Sequence, residues 1–167
     1  MKKNNGFTLL ELLTSFVVIG LITSIAMSNA LSQNPNLKVR ADIKMAEQAL
    51  KKARGIAIKK SCTIKADFSS ALANNGNNGG IINIEDSNGN ILDSVVLDRN
   101  VLFNANSSTL QNNYVSFDYR GEPVNSSGVV SGFNNTNNTV TISYYQGNSV
   151  KASKSVTVLP MTGNISE

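Results

Sequence analysis

An apolar run extends from Phe7 to about Ala30, broken only by small or hydroxyl residues and by one charge, Glu11. Two dozen helical residues reach about 36 Å at about 1.5 Å each, enough to cross a hydrocarbon layer of about 30 Å. The pattern therefore predicts a membrane-spanning helix over 7–30. A secretory signal would end in a small-residue cleavage site, and Ser28-Asn29-Ala30 offers only a weak one. Lys2 and Lys3 precede the run and favour a cytoplasmic N-terminus.

From Leu37 the period changes. Leu37, Ala41, Met45, Ala49, Ala53 and Ala57 recur every four residues, with Ala46 and Leu50 alongside, which predicts a narrow apolar stripe on a helix. Asn36 is placed to cap its start, and the β-favouring Ser61-Cys62-Thr63-Ile64 ends it near Lys60. The segment 31–61 reads as an amphipathic helix with a basic outer face. Asp42 and Glu47 offset that face through the Asp42–Lys38 and Glu47–Lys51 spacings.

Past Cys62 the chain breaks into short β-branched and aromatic runs between turn formers. They are Thr63–Phe68, Gly80–Ile84, Ile91–Leu97, Val101–Phe103, Tyr114–Tyr119, Val129–Phe133, Thr139–Tyr145 and Val150–Leu159. Asp86-Ser87-Asn88-Gly89-Asn90 and Gln146-Gly147-Asn148 join neighbouring runs as hairpins would. Alternation through Thr139-Val140-Thr141-Ile142-Ser143-Tyr144 predicts a strand with one buried face. The Asn- and Gly-rich stretches 74–80 and 134–138 suit exposed loops. The fold class expected is α+β: a long apolar then amphipathic helix packed on an antiparallel sheet or small sandwich, with the head spanning 62–167.

The length of 167 residues leaves about 130 for a water-soluble core, one small domain. The net charge of +4 conceals a division. Between Asn36 and Lys60 eight basic residues face two acids; from Asp67 to Glu167 four basic residues face eight acids. Complementary charge on helix and head suggests that neighbouring subunits register through it, an idea that fails if charge reversal at Lys51, Lys52 and Lys59 leaves assembly intact at low salt. A basic helical face also suits nucleic acid or anionic lipid.

Cys62 stands alone and histidine is absent, which removes the intramolecular disulfide and the commonest general base and metal ligand. Glu85, Asp86 and Asp93 are too scattered for an ion site, and Asp118 with Glu122 reads as a turn rather than an acid/base pair. No catalytic residue, metal site or cofactor is expected, and the chain is not read as an enzyme.

A carboxylate four residues into an apolar helix costs roughly 2.5–3.5 kcal/mol near the bilayer centre, less toward the interface, and calls for a positive partner. Gly6-Phe7-Thr8-Leu9-Leu10-Glu11-Leu12-Leu13 resembles the leader and N-terminal helix of type IV pilins and type II secretion pseudopilins. The resemblance implies that residues 1–6 are a leader, that a prepilin peptidase cuts between Gly6 and Phe7, and that Phe7 becomes N-methylphenylalanine. It also implies that Glu11 neutralises the freed N-terminal amine of a neighbouring subunit during assembly. Two positions depart from the family: Ser28 stands where many major pilins bend at a proline, and Pro35 comes later.

The run Val115-Ser116-Phe117-Asp118-Tyr119-Arg120-Gly121-Glu122-Pro123-Val124 resembles a strand and turn of the H-type pseudopilins and FimT-like minor pilins. Val156-Thr157-Val158-Leu159-Pro160-Met161-Thr162-Gly163-Asn164-Ile165 is similar to that group's last strands, where a basic residue commonly follows the glycine; here it is Asn164. Some FimT-like proteins bind DNA in this region, so Asn164 and the acidic head disfavour nucleic acid as a partner. The function implied is a minor pilin or pseudopilin in a type IV pilus or type II secretion pseudopilus. Its partners would be other pilin subunits, a prepilin peptidase and an inner-membrane platform. Its place would be the bacterial inner membrane, crossed once with a periplasmic head, and then a periplasmic or cell-surface fibre.

Overall fold

A computed structural model describes residues 8–32, 34–72, 79–110, 112–124, 138–159 and 162–166. Helix α1 spans Leu9–Ser32 and helix α2 spans Pro35–Lys60. The second helix starts two residues earlier than its apolar pattern suggests, because Asn34, not Asn36, is the cap. Its side chain accepts the Asn36 N–H at 3.0 Å, and Pro35 fills the first helical position, where no N–H is needed. At the other end Ser61 turns left-handed (φ 51°), and the Cys62 and Ser61 N–H groups close on the Ala57 and Ile58 carbonyls.

The apolar stripe of α2 is not the one its four-residue repeat predicts. Val39, Ile43, Ala46, Ala49, Leu50, Ala53 and Ala57 are buried, whereas Leu37, Ala41 and Met45 face outward. A helix advances about 100° per residue, so a strict four-residue repeat drifts about 40° per step and leaves one face before it reaches the far end. The repeat holds from Ala49 onward and has rotated to solvent by Leu37.

Nine strands follow among the described residues: β1 Ile64–Asp67, β2 Ile81–Asp86, β3 Ile91–Val96, β4 Val101–Phe103, β5 Tyr114–Phe117, β6 Pro123–Val124, β7 Asn138–Gln146, β8 Ser149–Val158 and β9 Ile165–Ser166. They form two antiparallel sheets, ordered β3-β2-β1-β5-β6 and β4-β7-β8-β9. Both expected hairpins form, β2–β3 over Asp86–Asn90 and β7–β8 over Gln146–Asn148. In the first, the Asp86 carboxylate accepts the Asn88 and Asn90 N–H groups at 2.8 and 2.9 Å. The run Val129–Phe133 and most of the expected loops 74–80 and 134–138 lie outside the described residues.

One core joins α2 to both sheets: Ile43, Leu50 and the alanines of α2 meet Ile64, Ala66, Ile82, Ile84, Val115 and Phe117 from the first sheet and Val140, Ile142, Val156 and Val158 from the second. Phe68 and Phe103 stack at 5.2 Å between ring centroids and bridge the sheets. Alternate residues of β7 point away from this core and pair across to β8 by their hydroxyls, Thr139 with Thr157, Thr141 with Ser155 and Ser143 with Ser153. Beyond the end of β4, residues 104–109 take up the free edge of β7. The Thr141 carbonyl accepts Asn104 N–H, the Thr139 carbonyl accepts Thr109 N–H, and the Thr139 and Thr141 N–H groups donate to the Thr109 and Ser108 hydroxyls.

Two of the helix's cations are engaged by acids of the head within the same chain. Lys38 pairs with Asp98 at 3.3 Å, not with Asp42, and Lys52 pairs with Asp93. The Glu47–Lys51 pair forms at 2.6 Å, and Lys44 joins it at 3.1 Å. Asp42 is 2% exposed and uses its carboxylate to accept the Asp98 N–H at 2.8 Å. Burial raises its pKa above the usual carboxylate value, against the lowering effect of that hydrogen bond. A raised pKa means that Asp42 favours the folded state most below pH 3.8 and loses that contribution as pH rises through its folded value. Asp42→Asn keeps an acceptor and removes the charge, so at pH 7 its melting temperature should equal or exceed the wild type, with the gap closing on acidification. Asp42→Ala orphans the Asp98 N–H and should cost about 1–3 kcal/mol. Equal losses for the two variants at pH 7 would show that the charge, not the acceptor, holds the turn.

Candidate functional site

Every described side chain from Leu9 to Ala26 is exposed, including Leu9 at 84% and Leu10 at 72%. This window has a mean hydropathy of 2.1. Fully covering one Leu, Ile, Val or Phe side chain gains about 1.5–3 kcal/mol, so eleven such side chains in one bare helix represent tens of kcal/mol awaiting a partner. Lipid or other apolar helices must cover it.

The polar groups of α1 are mostly satisfied within it. Thr14 and Ser15 hydroxyls donate to the Glu11 carbonyl at 3.0 and 2.7 Å, and the Thr23 hydroxyl donates to the Ile19 carbonyl at 2.7 Å. Thr8 accepts the Glu11 N–H at 3.2 Å, half of a capping box whose sequence is Thr8-Leu9-Leu10-Glu11. The Glu11 carboxylate itself, in the first turn, meets no partner among the described residues. Gly6 and Phe7, read from the sequence as the cleavage and methylation positions, lie outside the described residues.

At the opposite end of the molecule α2 is latched to the head by Arg54. Its guanidinium donates to the Gly121 carbonyl at 3.1 Å and to the Thr162 carbonyl at 2.8 Å. Gly121 and Gly163 both have positive φ, 78° and 62°, and touch each other: a Cβ on Gly163 would run into the Gly121 carbonyl oxygen. The two segments singled out by sequence resemblance, 115–124 and 156–165, thus meet under one arginine. Neither the meeting nor Arg54 was legible from sequence; the only signal was a pair of glycines, each following a β-rich run.

Asp118 organises the turn before Gly121. It accepts the Arg120 and Glu122 N–H groups at 2.9 and 3.0 Å and pairs with the Arg120 guanidinium at 3.0 Å. Burial works to raise its pKa, but these hydrogen bonds prevail and hold it below the usual value. It is a turn residue, as its spacing from Glu122 suggests. Cys62 is a half-buried free thiol at the α2–β1 junction, and no group of residues capable of holding a metal occurs among the described residues.

The family model for type II transport protein GspH matches residues 46–162, from the middle of α2 to the last turn. The chain belongs to the GspH family. The prokaryotic N-terminal methylation motif matches residues 1–27 of this GspH-family chain. The type IV minor pilin FimU of Pseudomonas aeruginosa strain PAO1 shares its fold, with 13% identity, a TM-score of 0.50, and coverage of 77% of this chain and 86% of that one. No curated protein matches the chain in sequence. The GspH-family chain is therefore a pilin-like structural subunit, a minor pilin or pseudopilin, with an α+β fold of apolar helix, second helix and antiparallel sheets. Families of this kind are generally not enzymes.

Proposed function

We propose that the chain is made with a leader over 1–6, cut by a prepilin peptidase between Gly6 and Phe7, methylated on Phe7, and polymerised through α1 at an inner-membrane platform. Before assembly α1 crosses the inner membrane with its N-terminus in the cytoplasm and the head in the periplasm. In the fibre the apolar surface of α1 packs against the helices of neighbouring subunits.

The observation that carries this reading is the bare apolar helix with one unpartnered carboxylate in its first turn. Cleavage after Gly6 would place a new amine four residues from Glu11, and the same amine of a second subunit is a cation able to enter an apolar fibre core beside it. Methylation keeps that charge. The head then supplies surface and register, and no cofactor is required.

Mass spectrometry of the chain expressed with a prepilin peptidase should show a mature protein beginning at Phe7 and heavier by one methyl group. An intact Met1, or a terminus near Ala30, would overturn the reading.

A further inference from the structure

The end of the head nearest α1 is assembled from three separate pieces of chain. Lys38 in the first turns of α2 reaches Asp98 and also lies over the Tyr144 ring, 5.8 Å from its centroid. Asp42 holds the Asp98 N–H, and the Tyr145 N–H donates to the Asn100 carbonyl at 2.8 Å. The start of α2, the turn 97–100 and the β7–β8 hairpin therefore share one end of the molecule.

The charges at this end do not cancel. Asp98 is taken by Lys38, Asp42 is buried on the Asp98 N–H, and Glu47, next along α2, is held by Lys44 and Lys51. Arg40, Arg99 and Lys151 are exposed there and make no ion pair among the described residues. Two exposed apolar side chains lie in the same segments, Leu37 at 42% and Val150 at 46% exposed.

This end also lies close to where α1 leaves the bilayer. Arg40 follows Ala30, the end of the apolar run, by ten residues, at most about 20 Å of chain counting the last residues of α1, the junction at Asn34 and the first turns of α2. An arginine side chain and a Debye length of about 8 Å bring that separation within range of the phosphate layer. From these placements we infer that Arg40, Arg99 and Lys151 form a docking surface for the anionic phospholipid headgroups of the same bilayer that α1 spans. Leu37 and Val150 would enter the interfacial region beside them. The docked head is the stored form of the subunit, and assembly must peel it from the lipid as α1 is withdrawn. The inference rests on the membrane-anchored reading above.

Surface lipid charge is worth roughly a fivefold gain per exposed cation, about a hundredfold for three. The test uses the full chain with Cys62→Ser and Ser149→Cys, a fluorophore on the new hairpin thiol, and vesicles carrying a headgroup spin-label quencher. In phosphatidylcholine containing about one-third phosphatidylglycerol, quenching should be at least threefold stronger than in phosphatidylcholine alone. It should fall to the neutral level in 0.5 M salt and in the Arg40→Ser/Arg99→Ser/Lys151→Ser variant, whose melting temperature should match the parent.

Quenching equal in both bilayers overturns the docking surface while leaving the anchor intact, provided that the chain floats with vesicles of either composition. A chain that floats with neither defeats the anchor itself. Binding of duplex DNA as tight as to anionic vesicles, lost in the same triple variant, would overturn the assignment to lipid.

Discussion

Glu11→Val should be cut, methylated and inserted normally and yet be depleted from fibres by tenfold or more, measured as the ratio of sheared-fibre to membrane-bound subunit. The substitution replaces the one charge of an otherwise apolar helix, so it can only favour insertion, by roughly 2.5 kcal/mol or more if the residue sits deep. The loss must therefore come from assembly. There a neighbouring amine would enter an apolar core with no counter-charge, and a buried unpaired charge costs about 3–5 kcal/mol. Glu11→Gln keeps the shape and an acceptor oxygen without the charge and should recover only part of the defect. Full assembly of Glu11→Val would show that polymerisation does not need the Glu11 carboxylate, since the Thr8 contact uses only the Glu11 backbone N–H.

Gly163→Val should lower the head's stability by about 3 kcal/mol, roughly 10 °C in melting temperature for a domain of this size. A left-handed backbone costs a side-chain-bearing residue about 1–2 kcal/mol. The new Cβ would also meet the Gly121 carbonyl, a backbone group fixed by the Arg54 guanidinium and unable to step aside. Gly147 separates the two causes: its φ of 60° is nearly the same, but nothing lies within 4 Å of its Cβ position. Gly147→Val should therefore pay only the conformational part. If the two variants lose equal stability, the close contact between the two glycines contributes nothing.

How far the sequence discloses this molecule depends on whether a feature is local. Val101–Phe103 was readable to the residue because turn formers bound it on both sides, and the Asp86–Asn90 hairpin announces itself through an aspartate that binds its own loop. The two-residue strands Pro123–Val124 and Ile165–Ser166 carry too little periodicity to be seen; they exist because β5 and β8 offer them an edge. The burial of Val39 and Ile43 was hidden because alanine fits several helical faces equally well, so the repeat alone did not fix which face turns inward.

The functional site divides in the same way. The apolar helix, with one charge in its first turn, was legible from its hydropathy pattern, whereas the assembly role of Glu11 is what the family resemblance implies. The arginine latch required knowledge of which segments, 67 and 108 residues distant from Arg54, come to rest beneath it. The charge division was legible as a sum but misleading as a surface. Lys38 and Lys52 pair with the head's own acids, so the charge left unpaired on the surface differs from the net count.

Residues 104–109, which occupy the edge of β7, bear on the life of the subunit before it is used. Chains waiting in a membrane are held at high local concentration in a common orientation, the condition under which bare strand edges join into sheets that cannot be undone. With the Thr139 and Thr141 backbone groups already engaged by Asn104, Ser108 and Thr109, that stretch of β7 offers no template for another copy. On the proposed reading of a membrane-held subunit that polymerises through α1, this covering keeps that edge from pairing between copies and leaves the apolar helix as the surface through which they join.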